Sequence, residues 1–480
     1  MWLRFDRKCA IVCAMPDAIH DQTVTSQPLS DDPSDLPIAV VGAGFSGTLL
    51  AVNLARRGAR VVLVERDHRR LARGLAFGTS EPDHLLNVRA SNMSAYPEDP
   101  GHFLRWMGYA GTAQVNRFVP RLTYGYYLRE QLLDLLASAP GRIAVKQQEA
   151  VGIGQLDGAA VLHLDSGETI RCKAVVLALG NLAPAGLPVL GGIAPPVLID
   201  NPWSAQVAAN LDGAEHVLLV GTGLTAVDVV LSLDRAGYRG RITALSRRGL
   251  APHAHAAQGP APGHVPRPEV RGSWLLRHVR QRAAQVGWRE AVDELRPHTQ
   301  SLWRLHDTAA QARFLRHLRP WWDIHRHRLA PPVAERIATL RAQGRLRVQA
   351  GRLLAVQMRE GRAEVTWRPR GGHEARQMSA DRIIICTGPE GDLRRCDHPL
   401  LSTLLAQGHV RGDAHQLGLD VDRNGRVINR DGVPQEQLYA VGPITKGEAW
   451  EVIAVPDIRR QVWELARYLT HSHWVGGEGL

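Results

Sequence analysis

Two glycine-rich stretches of nearly the same form hold the chemical potential of this sequence. The first is Gly42-Ala43-Gly44-Phe45-Ser46-Gly47, and the second is Gly221-Thr222-Gly223-Leu224-Thr225-Ala226. In such a stretch the first glycine permits a tight turn from strand to helix. The second lets backbone approach a pyrophosphate, and a small third residue lets the helix pack closely on its strand. Phosphates then meet the free N–H groups and the positive dipole end of a helix N-terminus. Ala226 in place of the third glycine is a substitution this pattern tolerates.

The residues that close the next strand differ between the two units. After the first it is Glu65, with Arg66 beside it. A carboxylate there accepts hydrogen bonds from ribose hydroxyls, so this unit suits a free ribose, as in FAD or NAD. After the second it is Ser246-Arg247-Arg248. A hydroxyl and guanidinium groups bind a 2′-phosphate that a carboxylate would repel, so this unit suits NADP(H).

Other residues complete the candidate sites. Lys173–Asn181, Arg382–Pro389 and Gln437–Pro443 each run apolar into small residues and glycine. That ending lets backbone pass close to a ligand and marks Gly180, Gly388 and Gly442 as cofactor neighbours. Arg316, Arg319 and Arg326 are candidates for a substrate carboxylate or for cofactor phosphates, since guanidinium binds such oxyanions bidentately. A solvated basic helix face with Trp321 and Trp322 in the core is the competing reading. His325 and His327 stand two apart, on different helix faces, so no metal site is expected. The five cysteines, Cys9, Cys13, Cys172, Cys386 and Cys396, include no C-x-x-C pair. This spacing argues against a disulfide framework, a zinc site and disulfide-reductase chemistry, and it points to a reducing cytoplasm.

The elements that must position these groups follow from the apolar pattern. Ile38–Val41 and Val217–Val220 are short buried strands that run directly into the glycines. A helix follows each, and then a second strand: Val61–Val64 in the first unit, Arg241–Leu245 in the second. The chain is therefore α/β, with two Rossmann-like dinucleotide-binding domains and a helical insertion. The expected organisation is a disordered leader over 1–36, with Met15 as an alternative start, and a first part of the FAD domain over 37–200. The NAD(P) domain spans 201–380 with its helical insertion at about 270–340, and 381–480 returns to the FAD domain. The net charge of +11 favours anionic partners. Arginine is spread along the whole chain, however, and no nucleic-acid module is visible, so phosphate-bearing cofactors are the expected cause. No apolar run approaches the length of a membrane helix.

With these motifs on the page, the chain resembles the two-dinucleotide-binding flavoprotein superfamily, which includes flavin monooxygenases and glutathione-reductase-like enzymes. Three stretches resemble bacterial FAD/NAD(P)-binding proteins more closely. They are Gly74–Thr79 running on to His84–Ala90 and Asn92–Ser94, then Arg313–Arg328, then Gly442–Gly447 with Trp450-Glu451-Val452. The resemblance implies that the N-terminal unit holds FAD and that the C-terminal segment completes that domain. It also implies that the stretch containing Asn87, Met93 and Ser94 lies beside the flavin. Many relatives place an Asp after the C-terminal glycine. Here Pro443 follows Gly442, so the clamp on FAD must be built otherwise.

The resemblance implies a flavin monooxygenase that oxidises NADPH and hydroxylates a small polar metabolite with O₂, at nitrogen in the sharper form. Reduced flavin that has met O₂ needs a dry, shielded pocket, which the protein supplies while the cofactor carries the chemistry. The alternatives are an FAD-containing reductase passing electrons to a protein or quinone, and a non-catalytic flavin-binding protein. The expected partners are a small-molecule substrate and O₂, without nucleic acid or membrane; a homo-oligomer is compatible with the sequence.

Overall fold

The computed structural model describes residues 36–79, 81–257 and 265–471. The expected leader therefore lies outside the described residues, except for Leu36. Two compact units interleave along the chain: one holds the segments up to Ser80, Arg89–Asn181 and Gly391 onward, the other Glu81–Val88 and Leu182–Glu390. Among the described residues no helix is long and apolar enough to cross a membrane.

The first unit is built on a six-stranded sheet. Its order is Arg426–Ile428, Pro434–Ala440, Ala174–Leu177, Ile38–Val41, Val61–Val64, Ile143–Lys146. All neighbours are parallel except the Arg426–Ile428 edge strand. Parallel strands covered on both faces need apolar residues at every position. Ile38–Val41 and Val61–Val64 meet that demand, since all eight residues are buried. The helix Phe45–Arg56 returns between these two strands and stops where Gly58 takes φ +87° and donates its N–H to the Ala55 carbonyl at 2.9 Å. It packs against the helices Arg121–Ser138 and Val455–Leu469.

The second unit repeats the plan. Its sheet runs Arg376–Ala380, Arg362–Pro369, Leu346–Arg359, Arg241–Ser246, His216–Val220, Arg382–Ile385, Leu198–Ile199. Counted from the strand before the glycines, both sheets place the next strand on one side and a strand from much later in the chain on the other. Alternate residues of His216–Val220 point to opposite faces, as the pleat requires. Val217 and Leu219 join a core with Val229, Leu233 and Leu340 from covering helices. Leu218 and Val220 join another with Val365 and Trp367 from the antiparallel part of the sheet.

Three features depart from the sequence-based plan. Arg382–Ile385 pairs with His216–Val220, so it belongs to the second unit, and the division falls after Glu390 instead of at 380/381. The earlier division falls after Asn181, because Leu198–Ile199 is the edge strand of the second sheet. Antiparallel strands also extend each unit: Ala150–Leu156, Ala159–Leu164 and Thr169–Cys172 in the first, Arg362–Pro369 and Arg376–Ala380 in the second. Helices fill the insertion from Gly272 to Ala342 as expected.

A buried carboxylate ties the second unit together. Asp234, near the end of the helix Leu224–Arg235, accepts Arg345 Nη1–H at 2.9 Å and Arg336 Nε–H at 2.7 Å, with Arg239 at 3.6 Å. Arg345 also donates to the Tyr238 carbonyl at 2.5 Å. Removing one partner of a buried ion pair strands the other charge. Asp234→Ala should therefore lower stability by about 3 kcal/mol, read as a lower urea midpoint. An unchanged midpoint would show that the arginines are adequately solvated without it.

Candidate functional site

In both units the ligand-facing edge is built by the same backbone contacts. Gly42 N–H donates to the Val64 carbonyl and Gly221 N–H to the Leu245 carbonyl, each at 2.8 Å. Ala178 N–H donates to the Val41 carbonyl at 2.8 Å and Cys386 N–H to the Val220 carbonyl at 2.9 Å. Gly42 has φ +98° and Gly221 φ +128°. A Cβ on Gly42 would stand 2.6 Å from the Ala178 carbonyl oxygen, and one on Gly221 would overlap that of Cys386. Two residues beyond each of these carbonyls comes a glycine with positive φ and open space around it: Gly180 at +70° and Gly388 at +87°. Gly44 and Gly223 are the extended N-caps of their helices, at ψ −162° and −166°. Both loops thus aim a helix N-terminus, Phe45 in one and Leu224-Thr225 in the other, over the carboxyl ends of parallel strands, where α/β sheets bind ligands.

The first unit adds a second wall. Ala72, at φ +64°, donates its N–H to the Ala43 carbonyl at 2.8 Å. Gly74 comes so close that a Cβ on it would lie 3.1 Å from Gly44 Cα. A Cβ on Gly47 would overlap the Gly42 carbonyl oxygen, so this third glycine is obligatory. In the second unit Ala226 occupies that place and is buried, as the sequence allows.

The electrostatic difference lies one residue past the second strand. Glu65 Oε2 accepts the Ala43 N–H at 2.9 Å and Oε1 accepts the Asp67 N–H at 3.2 Å, so the carboxylate stands against the glycine loop. Arg66 is neutralised by Glu149 at 2.9 Å. In the second unit Ser246 Oγ takes the equivalent place. It accepts the Gly249 N–H at 3.0 Å and donates to Thr222 Oγ1 at 2.9 Å, while the Thr222 hydroxyl donates to the Leu250 carbonyl. Arg247 is exposed and, among the described residues, takes part in no hydrogen bond or ion pair. Arg248 is committed to the Arg316 carbonyl at 3.0 Å.

The turn at Gly442-Pro443 is held by a helix. Gly442, at φ +80°, is seated against Ser46 of the first loop and donates its N–H to Gln461 Oε1 at 2.7 Å. Gln461 Nε2–H in turn donates to Thr445 Oγ1 at 2.9 Å, and that hydroxyl donates to the Gly442 carbonyl at 2.9 Å. Sequence reasoning missed Gln461, because nothing local to it signals the partner.

Other predicted residues fall differently. Met93 and Ser94 are fully buried. The Ser94 hydroxyl is engaged with the Asp99 carbonyl at 2.6 Å and the Ser94 carbonyl accepts Arg459 Nη1–H at 2.8 Å, so neither residue offers a polar side chain to a ligand. Asn87 groups with the second unit, where its carbonyl accepts from His255 Nε2 at 2.9 Å. Arg316 is exposed, Arg319 lies 3.5 Å from Asp323, and Arg326 is buried, so the three arginines do not share one surrounding. Their neighbour Arg328 is spent internally: it grips Asp293 with both Nη atoms at 3.0 and 2.8 Å and donates to the His325 carbonyl. Cys172 and Cys386 are free and buried, and burial pushes each thiol up to about 12, far from a reactive thiolate.

The comparisons with known proteins agree with this geometry. The family model described as FAD-NAD(P)-binding matches residues 39–182, which contain the first loop, Glu65 and Gly180. Lysine 6-monooxygenase from Pseudomonas syringae superposes with a TM-score of 0.63 at 15% identity, covering 91% of this chain and 99% of that one. The chain has the fold of the two-dinucleotide-binding flavoproteins. The ornithine N-hydroxylase of Kutzneria sp. 744, in its form with reduced FAD, NADP⁺ and L-ornithine, gives 0.59 at 14% identity, with coverage of 91% and 99%. The bacillithiol disulfide reductase of Staphylococcus aureus gives 0.54 at 12%, with coverage of 91% and 98%. No curated protein sequence matches the chain significantly. At these identities the likeness to solved structures is one of fold, and the layout is one found in oxidoreductases of more than one kind.

The glycine geometry gives a direct test. Gly221→Ala should abolish nicotinamide-nucleotide binding while FAD stays bound, measured by calorimetric titration of the flavin-loaded protein. Retained nucleotide affinity would place the ligand elsewhere.

Proposed function

We propose that this protein is an FAD-dependent, NADPH-oxidising monooxygenase acting on a small polar metabolite, with nitrogen as the atom hydroxylated. The observation that carries the cofactor half is the contrast between Glu65 and the Ser246-Arg247 pair at equivalent positions of two loops of one design. The first unit fits FAD. Gly44 and Gly74 pack closely, since a Cβ on Gly74 would lie 3.1 Å from Gly44 Cα, Gly180 is open, and Glu65 stands against the glycine loop where a carboxylate suits a ribose hydroxyl. The second unit fits NADPH, because Arg247 holds a guanidinium that no other described group neutralises.

Bound FAD supplies hydride acceptance from NADPH and the reaction of the reduced ring with O₂. The protein's own contribution is to orient and shield. The loops would hold the phosphates on helix N-termini, and Met93 and Ser94, both buried, bring no ionisable side chain. Inert Cys172 and Cys386 speak against thiol–disulfide exchange, the chemistry named for one structural neighbour. The amine hydroxylases among the neighbours support nitrogen as the target. The exposed Arg316 is the group offered to a substrate carboxylate, whereas Arg319 is paired with Asp323.

A 2′-phosphate held by Arg247 through charge-assisted hydrogen bonds accounts for about 1.5–3 kcal/mol. Arg247→Ala should therefore raise KM for NADPH about 10–100-fold and leave NADH oxidation unchanged in steady-state assays. Equal loss with both cofactors would remove the case for NADPH. The oxygenase half is tested by following NADPH oxidation with small amines and amino acids. Substrate-stimulated turnover with matched O₂ uptake and a hydroxylated product is the expected result. Turnover only with an artificial electron acceptor would favour a reductase, and no NADPH oxidation a binding protein.

A further inference from the structure

The helix Val455–Leu469 lies at the C-terminal end of the first unit and carries two polar side chains that leave it in different directions. Residues two apart on a helix do not share a face, so Arg459 and Gln461 reach separate segments. Gln461 grips both ends of the Gly442–Thr445 turn, which rests on Ser46 of the glycine loop. Arg459 Nη1–H donates to the Ser94 carbonyl at 2.8 Å and to the Asn92 carbonyl at 3.4 Å. The guanidinium is largely buried, and that burial draws its affinity for a proton below the ordinary arginine range.

The same arginine bears on a buried hydroxyl. Tyr124 is fully buried among Phe45, Phe77, Phe103 and Tyr127, with ring centroids 4.9–6.0 Å away. Its hydroxyl makes no hydrogen bond among the described residues, and Arg459 is the cation acting on it. A buried hydroxyl left unpaired costs about 1–3 kcal/mol. Phe45 is the first residue of the glycine-loop helix, so this orphan lies close behind the loop.

We propose that the helix Val455–Leu469 positions the ligand edge of the first unit: Gln461 fixes the turn at Gly442 against the glycine loop, and Arg459 fixes the backbone at 92–94, the stretch that the resemblance sets beside the flavin. Neither side chain is a catalytic residue; each acts through the backbone it holds. The inference rests on the reading of the first unit as the FAD site. It explains how a turn with Pro443 in place of a side-chain acceptor still seats against the loop, since the acceptor comes from Gln461 instead.

The test is titration of full-length wild type and variants with FAD, reading the dissociation constant, the visible flavin spectrum and the melting temperature without flavin. Arg459→Gln should weaken FAD about tenfold or more and shift the flavin absorption band, because the backbone at 92–94 moves. Arg459→Lys keeps a charge and one donor, and should recover most of the affinity and the band position. Gln461→Leu should weaken FAD to a similar degree. Gln461→Glu keeps the acceptor for Gly442 N–H, and should lose less. If Arg459→Gln melts too low to titrate, the Lys and Glu variants carry the test. Wild-type affinity and spectrum in Arg459→Gln and Gln461→Leu would overturn the positioning role while leaving the FAD site intact. A wild-type protein that binds no FAD would overturn the FAD reading itself.

Discussion

Everything at the ligand edge of this protein depends on one close contact made twice: the first glycine of each loop lies against a carbonyl from a strand far along the chain. Ala178 is that partner for Gly42 and Cys386 for Gly221. No side chain fits between, and positive φ at both glycines is the conformation only glycine adopts cheaply. The contact sets the height of the loop above the sheet and therefore the direction of the helix N-terminus. It also delivers Gly180 and Gly388 to the same edge, with room for a ligand. The rest of each unit keeps those strands adjacent: parallel register, apolar strands buried on both faces, and flanking helices.

Specificity is added to this shared frame by very few residues. A carboxylate at Glu65 and a hydroxyl at Ser246 occupy equivalent places, and each is tied back to its own loop. The arginine that follows is paired with Glu149 in the first unit and meets no acid among the described residues in the second. A free guanidinium recognises a phosphate far better than one already paired, because no ion pair must be broken first. On the proposed reading, one duplicated scaffold serves two different dinucleotides.

The glycine loops, their strands and helices, Glu65 and the Ser246-Arg247 pair were legible in the sequence, because each depends on local chemistry at fixed spacing. The two antiparallel extensions were legible in principle. Asp157-Gly158 and Glu360-Gly361 both take positive φ, the requirement of tight hairpin turns, and Asp-Gly is a strong signal for one. Arg328 was not legible: its basic neighbourhood suggested anion binding, whereas Asp293, 35 residues away in sequence, consumes it. Arg382–Ile385 was assigned to the wrong unit for a similar reason, since an apolar strand does not declare which sheet it joins. Gln461 and Arg459 act on backbone brought to them only by the completed fold.

The central claim, one frame with two nucleotide identities, is tested most directly by calorimetric titration of the FAD-loaded protein with 2′,5′-ADP and with 5′-AMP. The prediction is one 2′,5′-ADP per chain, bound at least about tenfold tighter than 5′-AMP, displaced by NADPH and leaving FAD in place. Equal affinity for the two nucleotides, or release of FAD by 2′,5′-ADP, would contradict it.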